Sequence, residues 1–327
     1  MTSEITPMPQ VQLGRNGPMI GAQGLGCMGM SEFYGETDEA EIRATLERAL
    51  DLGVTMFDTA DMYGVGANEE FLAPFIAAHR DSVIIATKFG YMRTPENPND
   101  WSIDNRPEFI RAAVDRSLKR LGVEVIDLYY MHRRDGVTPL EESIGAMADL
   151  VTAGKVKWLG LSAVSAEELR AACAVHPIAV LQSEWSVFTR EIEKEVVPAV
   201  AELGVTIVPY SPLGRGMLTG RAFLGGLTSD DARKHFPRFS AENRDANLRL
   251  VAKIEEIASA KGVTSGQLAL AWLYAQSKSL NAKTVPIPGT RRRTRLEENV
   301  AAVSIVLTSE EMRMLEPLAA AVQGIAV

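Results

Sequence analysis

Short apolar runs alternate with longer amphipathic segments along most of the chain. The runs, rich in Val, Ile and Leu, have the length and composition of buried strands. They predict strands at 22–27, 54–58, 83–88, 125–131, 156–162, 178–183, 205–210 and 283–287. Between them, apolar residues recur at helical spacing and predict helices over 38–52, 68–79, 107–121, 139–153, 165–175 and 190–203. Punctuation agrees with that reading. Gly53 and Gly154 close two of the helices, and Ser165 with Glu168 three residues on forms a capping box. Ahead of the alternation, Val11 to Ile20 holds Gly14, Asn16, Gly17 and Pro18 at its centre, the mark of a hairpin that caps the bottom of the main fold. The segment from Leu213 to Lys261 is too long for an ordinary loop and predicts an insertion over the mouth, with an amphipathic helix near Ala246 to Ala260. Thr294 to Ala302 and Ser309 to Ala321 complete the pattern as helices, the second an extra C-terminal one.

Eight such strands are the number a closed (β/α)8 TIM barrel requires. An open doubly wound sheet is the competing α/β architecture, but it normally carries a glycine fingerprint after its first strand, and none stands there. The prediction is a single domain over 1–327 with its barrel core at about 22–302, an N-terminal hairpin, a mouth insertion before the seventh helix and an extra C-terminal helix.

Composition narrows the function. The chain has 327 residues, 46% of them hydrophobic, and a net charge of −8. That balance argues against a general nucleic-acid binder, which needs a basic face. Cys27 and Cys173 stand far apart with no metal-ligand spacing around them, so neither a disulfide scaffold nor a metal site follows. Met1 to Gln10 lacks the basic and apolar regions of a secretion signal, and no apolar run is long enough to span a bilayer. A cytoplasmic protein without membrane partners is expected.

Candidate chemistry gathers at strand ends. Asp58, Lys88 and His132 each finish or follow a buried strand, and Tyr63 lies one turn beyond the first. If the strands are parallel neighbours, all four side chains meet at one rim, the C-terminal face where barrels of this kind work. A tyrosine is a poor acid at its ordinary pKa of about 10, and a lysine ammonium beside it lowers the cost of giving up its proton. Alone, each residue has a plain explanation: Asp58 as a turn former, Lys88 as a solvated cation, His132 as a rim histidine. His79, His176 and His235 have no comparable company and are assigned no chemistry.

With those residues in view, the sequence resembles the aldo-keto reductases. The words "FDTADMYG", "NEE", "ATKFG", "SLKRLGVEVIDLYYMHR", "VPYSPLGRG" and "PIPGT" carry the resemblance, which runs from about Val11 to about Ala302. It implies an Asp58, Tyr63, Lys88, His132 tetrad that reduces aldehydes or ketones, and reversibly oxidises alcohols, with Tyr63 as proton donor and neutral His132 on the carbonyl oxygen. It implies NADP(H) as cofactor and no metal. Ser162 and Gln182 would hold the carboxamide, Tyr210 would stack on the nicotinamide, and Gly26, Met28 and Asp58 would border it. Ser211, Leu213 and Gly216 would line the pyrophosphate path, and Gly289, Thr290, Arg291, Arg295, Glu298 and Asn299 the adenosine end. Four arginines within 291–295, at a helix start, suit a 2′-phosphate by charge and dipole together. Two positions depart from the family pattern. Ala163 follows Ser162 where many members have Asn, and Gly289-Thr290 stands where some have Lys-Ser.

Apolar residues on predicted rim loops, Met28, Met30, Phe33, Tyr34, Met92 and Trp101, are candidates for a substrate pocket, with Glu184 and Trp185 beside them. Two other functions fit parts of the pattern: a cofactor-binding, redox-sensing regulatory subunit, and an unrelated phosphate-handling barrel. The intact tetrad favours the reductase. The physiological substrate and the oligomeric state are left open by the sequence.

Overall fold

A computed structural model describes residues 7–32, 38–220 and 231–325. The hairpin comes first, as β1 (Gln10–Gln12) and β2 (Met19–Gly21), paired antiparallel with Val11 opposite Ile20. Its turn is tight at Gly17, where a Cβ would fall 2.2 Å from the Leu13 carbonyl oxygen. Seven parallel strands follow in sequence order: β3 (Leu25–Gly26), β4 (Met56–Asp58), β5 (Ile84–Phe89), β6 (Ile126–Met131), β7 (Val156–Ser162), β8 (Ile178–Glu184) and β9 (Thr206–Tyr210).

The segment 283–289 closes the circle without regular strand geometry. It bridges Ile207 to Thr284 on one side and Gly26 to Gly289 on the other. The reason lies in two prolines. Val285 and Ile287 donate to the carbonyls of Ile207 and Pro209, but Pro286 and Pro288, facing β3, have no N–H to give. Pro286 still accepts from Gly24. The eighth strand of the expected barrel is therefore a half-bonded staple, and the architecture is the (β/α)8 TIM barrel.

Side-chain alternation makes two cores. Met56, Ala86, Leu128, Tyr130, Val180, Val208, Val285 and Ile287 point inward, with Leu13 and Ile20 of the hairpin joining them as the plug at the bottom. Phe57, Ile85, Tyr129, Leu159, Leu181 and Ile207 point outward against the helices. Those helices are α1 (Glu39–Asp51), α2 (Ala67–Ala78), α3 (Pro107–Leu121), α4 (Leu140–Thr152), α5 (Ala166–Val175), α6 (Val196–Leu203), α7 (Ala241–Lys261), α8 (Ser265–Ser279), α9 (Arg293–Ala301), α10 (Ser309–Leu315) and α11 (Leu318–Ala321).

Two helix expectations are corrected, both by proline. The helix expected over 190–203 begins at Val196, because Pro198 has no N–H and its ring clashes with a helical carbonyl four residues earlier. The C-terminal helix expected as one piece is two, broken at Glu316-Pro317. The amphipathic helix of the insertion starts earlier than its pattern suggested, at Ala241. No helix among the described residues is long and apolar enough to cross a membrane.

Candidate active site

The inward parity that supplies the apolar core continues to the strand ends, where its residues turn polar. Asp58 stands two residues beyond Met56, Lys88 two beyond Ala86, His132 two beyond Tyr130, Gln182 two beyond Val180 and Tyr210 two beyond Val208. One register therefore brings a carboxylate, an ammonium, an imidazole, an amide and a phenol to the same rim.

Lys88 Nζ donates to Asp58 Oδ1 at 2.5 Å and to the Thr59 carbonyl at 2.7 Å. Gln182 Nε2 donates to the other Asp58 oxygen at 2.8 Å. Both members of the ion pair are wholly shielded from water. Desolvation penalises the Lys88 ammonium, yet the attraction and hydrogen bonds of Asp58 and Tyr63 outweigh it and hold its pKa above the ordinary value. The lysine is a fixed cation.

Tyr63 sits in a turn after β4, tied by its N–H to the Ala60 carbonyl, with Lys88 Nζ 5.2 Å from its ring centroid. Lys88 acts on the phenol in the expected direction, but burial acts more strongly and Asp58 adds to it, so the pKa of Tyr63 lies above its ordinary value. The lysine does lower it as expected, but a cation neutralised by its own carboxylate does not offset the loss of water. Tyr63 is a protonated phenol at rest.

His132 is placed by its own N–H, which donates to the Phe89 carbonyl at 2.8 Å. Its ring meets Tyr63 edge to face at 5.9 Å and Tyr91 at 5.1 Å. Burial, with Lys88 and Arg133 nearby, holds its pKa well below the ordinary histidine value, so it is a neutral imidazole. Its buried Nδ1 has no partner among the described residues.

The second half of the rim holds the residues expected to contact a cofactor. Ser162 and Gln182 are register partners on β7 and β8, and Tyr210 ends β9. Beyond β9 the chain turns through Ser211, at φ 49°, and a 3-10 segment Gly214–Thr219 whose Gly214, Arg215 and Gly216 all have positive φ. Leu213 accepts the N–H groups of Gly216 and Leu218 through its carbonyl. Gly26 is the register partner of Asp58 and bridges Gly289 on its other side. Met28 packs with Met62, Tyr63 and Tyr91.

At the start of α9, Thr290 Oγ1 accepts the Arg292 N–H. Glu298 accepts Thr264 Oγ1 at the start of α8, and Asn299 is buried. Of the arginines, Arg293 is committed to Glu41 of α1 at 2.8 Å, while burial and the adjacent Arg292 press Arg291 below its ordinary value.

The pocket candidates divide. Met92 and Trp101 are exposed at the rim, with the Arg93 guanidinium 4.4 Å above the Trp101 ring. Trp185 is not at the mouth: it is fully buried and its indole N–H donates to Glu193. Phe33 and Tyr34 lie outside the described residues. Sequence reasoning missed two neighbours of the tetrad. Tyr91, three residues past Lys88, joins His132 to Trp101 through two edge-to-face contacts. Arg133 follows His132 and donates to Ser162 Oγ at 2.9 Å. Each is the kind of residue, one to three positions past a strand-end polar group, that an inspection of the rim loops could have singled out.

Comparison with known proteins gives a consistent picture. A sequence model described as the Aldo/keto reductase family matches residues 23–320. An aldo-keto reductase [NADP(+)] of Schizosaccharomyces pombe is 45% identical over 301 residues, covering 90% of this chain and 87% of its own. A probable aldo-keto reductase of Glycine max is 41% identical over 305 residues, covering 93% and 86%. Among solved structures, a glycerol dehydrogenase from Gluconobacter oxydans superposes with a TM-score of 0.84 at 28% identity, covering 95% of both chains.

Proposed function

The chain belongs to the aldo/keto reductase family, and from that premise we propose that it is an NADP(H)-dependent reductase of aldehydes or ketones, running in reverse as an alcohol dehydrogenase. The observation that carries the reading is the buried Asp58–Lys88 pair facing a protonated Tyr63 and a neutral His132.

The residues present fit a nicotinamide dinucleotide. Ser162 and Gln182 offer a hydroxyl and an amide side by side, Tyr210 offers a ring, and the Ser211–Gly216 turn offers a backbone that bends through left-handed positions. Arg291, Arg292 and Arg295 supply cations at the far end, with Arg293 turned to Glu41. When bound, the cofactor supplies the hydride for reduction or accepts it in the reverse direction.

The chain's own residues do the rest. His132, uncharged, donates an imidazole N–H to the carbonyl oxygen and orients it. Tyr63 gives its proton to that oxygen as negative charge develops there. Lys88 stabilises the phenolate that forms, and Asp58 fixes the lysine in place. Tyr91, Met28 and Trp101 form the apolar wall beside the reacting carbonyl.

The test follows nicotinamide absorbance with NADPH or NADH and an aromatic aldehyde, comparing the wild type with Tyr63→Phe. NADPH oxidation by the wild type, reduced by about 10²–10⁴-fold in the variant, is the expected outcome for loss of a general acid. Tight NADPH binding without turnover across a broad carbonyl panel would overturn the reading in favour of a regulatory subunit.

A further inference from the structure

Several arginines around the mouth are held in ion pairs, whereas Arg133, like Arg215 and Arg238, is in none among the described residues. Arg93 pairs with Glu32, Arg106 with Asp104, Arg134 with Glu168 and Arg233 with Asp231. Arg133 makes no ion pair among the described residues. Its guanidinium donates to Ser162 Oγ at 2.9 Å, to the His132 carbonyl at 2.9 Å and to Tyr210 Oη at 3.4 Å, and it stands 5.7 Å from the Tyr210 ring. All of these partners are neutral.

The acid nearest in sequence does not serve it. Asp135 spends Oδ1 on the N–H groups of Val137 and Thr138, and Oδ2 on the Asn105 N–H and Thr138 Oγ1. Asp58 is committed to Lys88 and Gln182. The backbone beneath the arginine is pinned on both sides: His132 N–H is held by Phe89, and the Arg133 carbonyl accepts Asn105 Nδ2 at 3.1 Å. A half-buried cation is thus held at a fixed place beside the tetrad, with no counter-charge among the described residues. Arg133 follows His132 directly and its guanidinium reaches Ser162 and Tyr210, which sets it on the same rim as the tetrad.

We propose that Arg133 recognises a carboxylate on the substrate, so that this site favours oxo acids, compounds with a carboxylate within a few bonds of the carbonyl, over neutral carbonyl compounds of the same shape. The proposal rests on the reductase reading and names its substrate class. A guanidinium suits the task because its parallel N–H groups match both carboxylate oxygens, and because it stays charged at every working pH. The chemistry is unchanged: the hydride adds to the carbonyl carbon, Tyr63 protonates the oxygen, and the carboxylate leaves as it came, giving a hydroxy acid. Arg133 is a specificity residue here. Its contacts to Ser162 and Tyr210 would yield as ligands enter.

The experiment compares phenylglyoxylate with its methyl ester, wild type against Arg133→Gln and Arg133→Lys, by kcat/KM at saturating NADPH. The ratio of acid to ester is expected to fall by about 10- to 100-fold in Arg133→Gln, the range of a charge-assisted hydrogen bond, and by less in Arg133→Lys. A binding arm without turnover uses benzoate and benzamide as thermal-shift ligands. Benzoate should stabilise the wild type and not Arg133→Gln, while the melting temperatures of the free proteins report that the variants fold. An unchanged acid-to-ester ratio would overturn the proposal while leaving the reductase intact. So would a loss shared equally by both substrates with a weakened NADPH dissociation constant, which would assign Arg133 to the cofactor. A wild type that binds NADPH but reduces neither compound nor an aromatic aldehyde would overturn the reductase reading and this substrate class with it.

Discussion

The two halves of the rim are built by different means. From β4 to β6 the strands pair in continuous register, and the functional groups are fixed by side-chain bonds: Lys88 to Asp58, Asp58 to Gln182, His132 against Tyr63 and Tyr91. From β7 onward the backbone does the positioning. Three of the five non-glycine residues with positive φ among the described residues, Ala163, Ser211 and Arg215, lie on loops of this half, and prolines interrupt the closing segment. Val65, just past Tyr63, is the tetrad half's own exception.

Under the proposed function, the difference follows from what each half must hold. Reacting atoms need charge aimed at one point, and a buried ion pair supplies it where water is excluded. An extended cofactor needs many modest contacts along a path, and turns held in uncommon conformations expose backbone and short side chains there. Damage to one half should then leave the other half's task standing.

The sharpest break is Lys88→Met. It strands Asp58 as a buried carboxylate with only Gln182 beside it, and breaking a buried pair in this way costs about 3–5 kcal/mol of stability. Turnover should fall by about 10²–10⁴-fold, since the phenolate loses its cation. NADPH affinity should stay close to the wild-type value by fluorescence titration. Adding Asp58→Asn to the same chain should recover most of the stability and none of the activity. A large loss of NADPH affinity in the single variant would join the two halves into one unit.

A second break lies beneath Tyr63. Asp61 ties its N–H to the Lys88 carbonyl, and its carboxyl Oδ1 is shut off from water with no partner among the described residues. Burial first, then repulsion from Glu69, pushes the Asp61 carboxyl up to about 8, against the pull of Arg120 and Arg116. The linkage sign is set by which state binds the proton. Between about pH 4 and 8 the folded protein keeps a proton on Asp61 that the unfolded chain releases, so the stability that proton confers is present below pH 4 and is lost as pH rises through 8. Asp61→Asn should therefore stabilise the protein at pH 8 by about 1–2 kcal/mol, the scale of an unsatisfied buried polar group, with the gain vanishing toward pH 4. Denaturant midpoints of the two proteins at pH 4, 6 and 8 check it. A gain of equal size at every pH would place the effect outside the titration.

How much of this was legible in the sequence follows the same division. Asp58, Lys88 and His132 could be read because strand parity is strict: an inward apolar residue two positions earlier fixes where each side chain points. The hairpin plug was legible from Gly14, Asn16, Gly17 and Pro18. The other half was read through resemblance, because a loop's conformation depends on partners distant in sequence. Ala163 gives no local sign that it will adopt φ 53°, and Trp185 gives none that Glu193 will take its N–H. Arg133 stood in plain view beside His132, but its lack of a counter-ion among the described residues is a property of every neighbouring element and could not be read from the word that contains it.

The mildest substitution tests the backbone half directly. Ala163 holds a left-handed conformation that costs an L-residue with an ordinary Cβ about 1–2 kcal/mol, and it is kept there by an N–H bond of 2.9 Å to the Gln182 carbonyl. Asparagine enters that region readily, and the family pattern often has it after the serine. Ala163→Asn should gain about 0.5–1 kcal/mol, or about 1–2 °C in melting temperature. Its carboxamide would stand beside Ser162 and Gln182, so NADPH should also bind more tightly, with kcat little changed. Ala163→Gly separates the two effects: it relieves the φ strain but offers no amide and adds freedom to the unfolded chain. Tighter NADPH binding in the Asn variant alone would make position 163 a place where the side chain adds to a site the backbone has already shaped. Equal tightening in both would mean that the strain itself opposes the cofactor, and that the turn must relax before it binds.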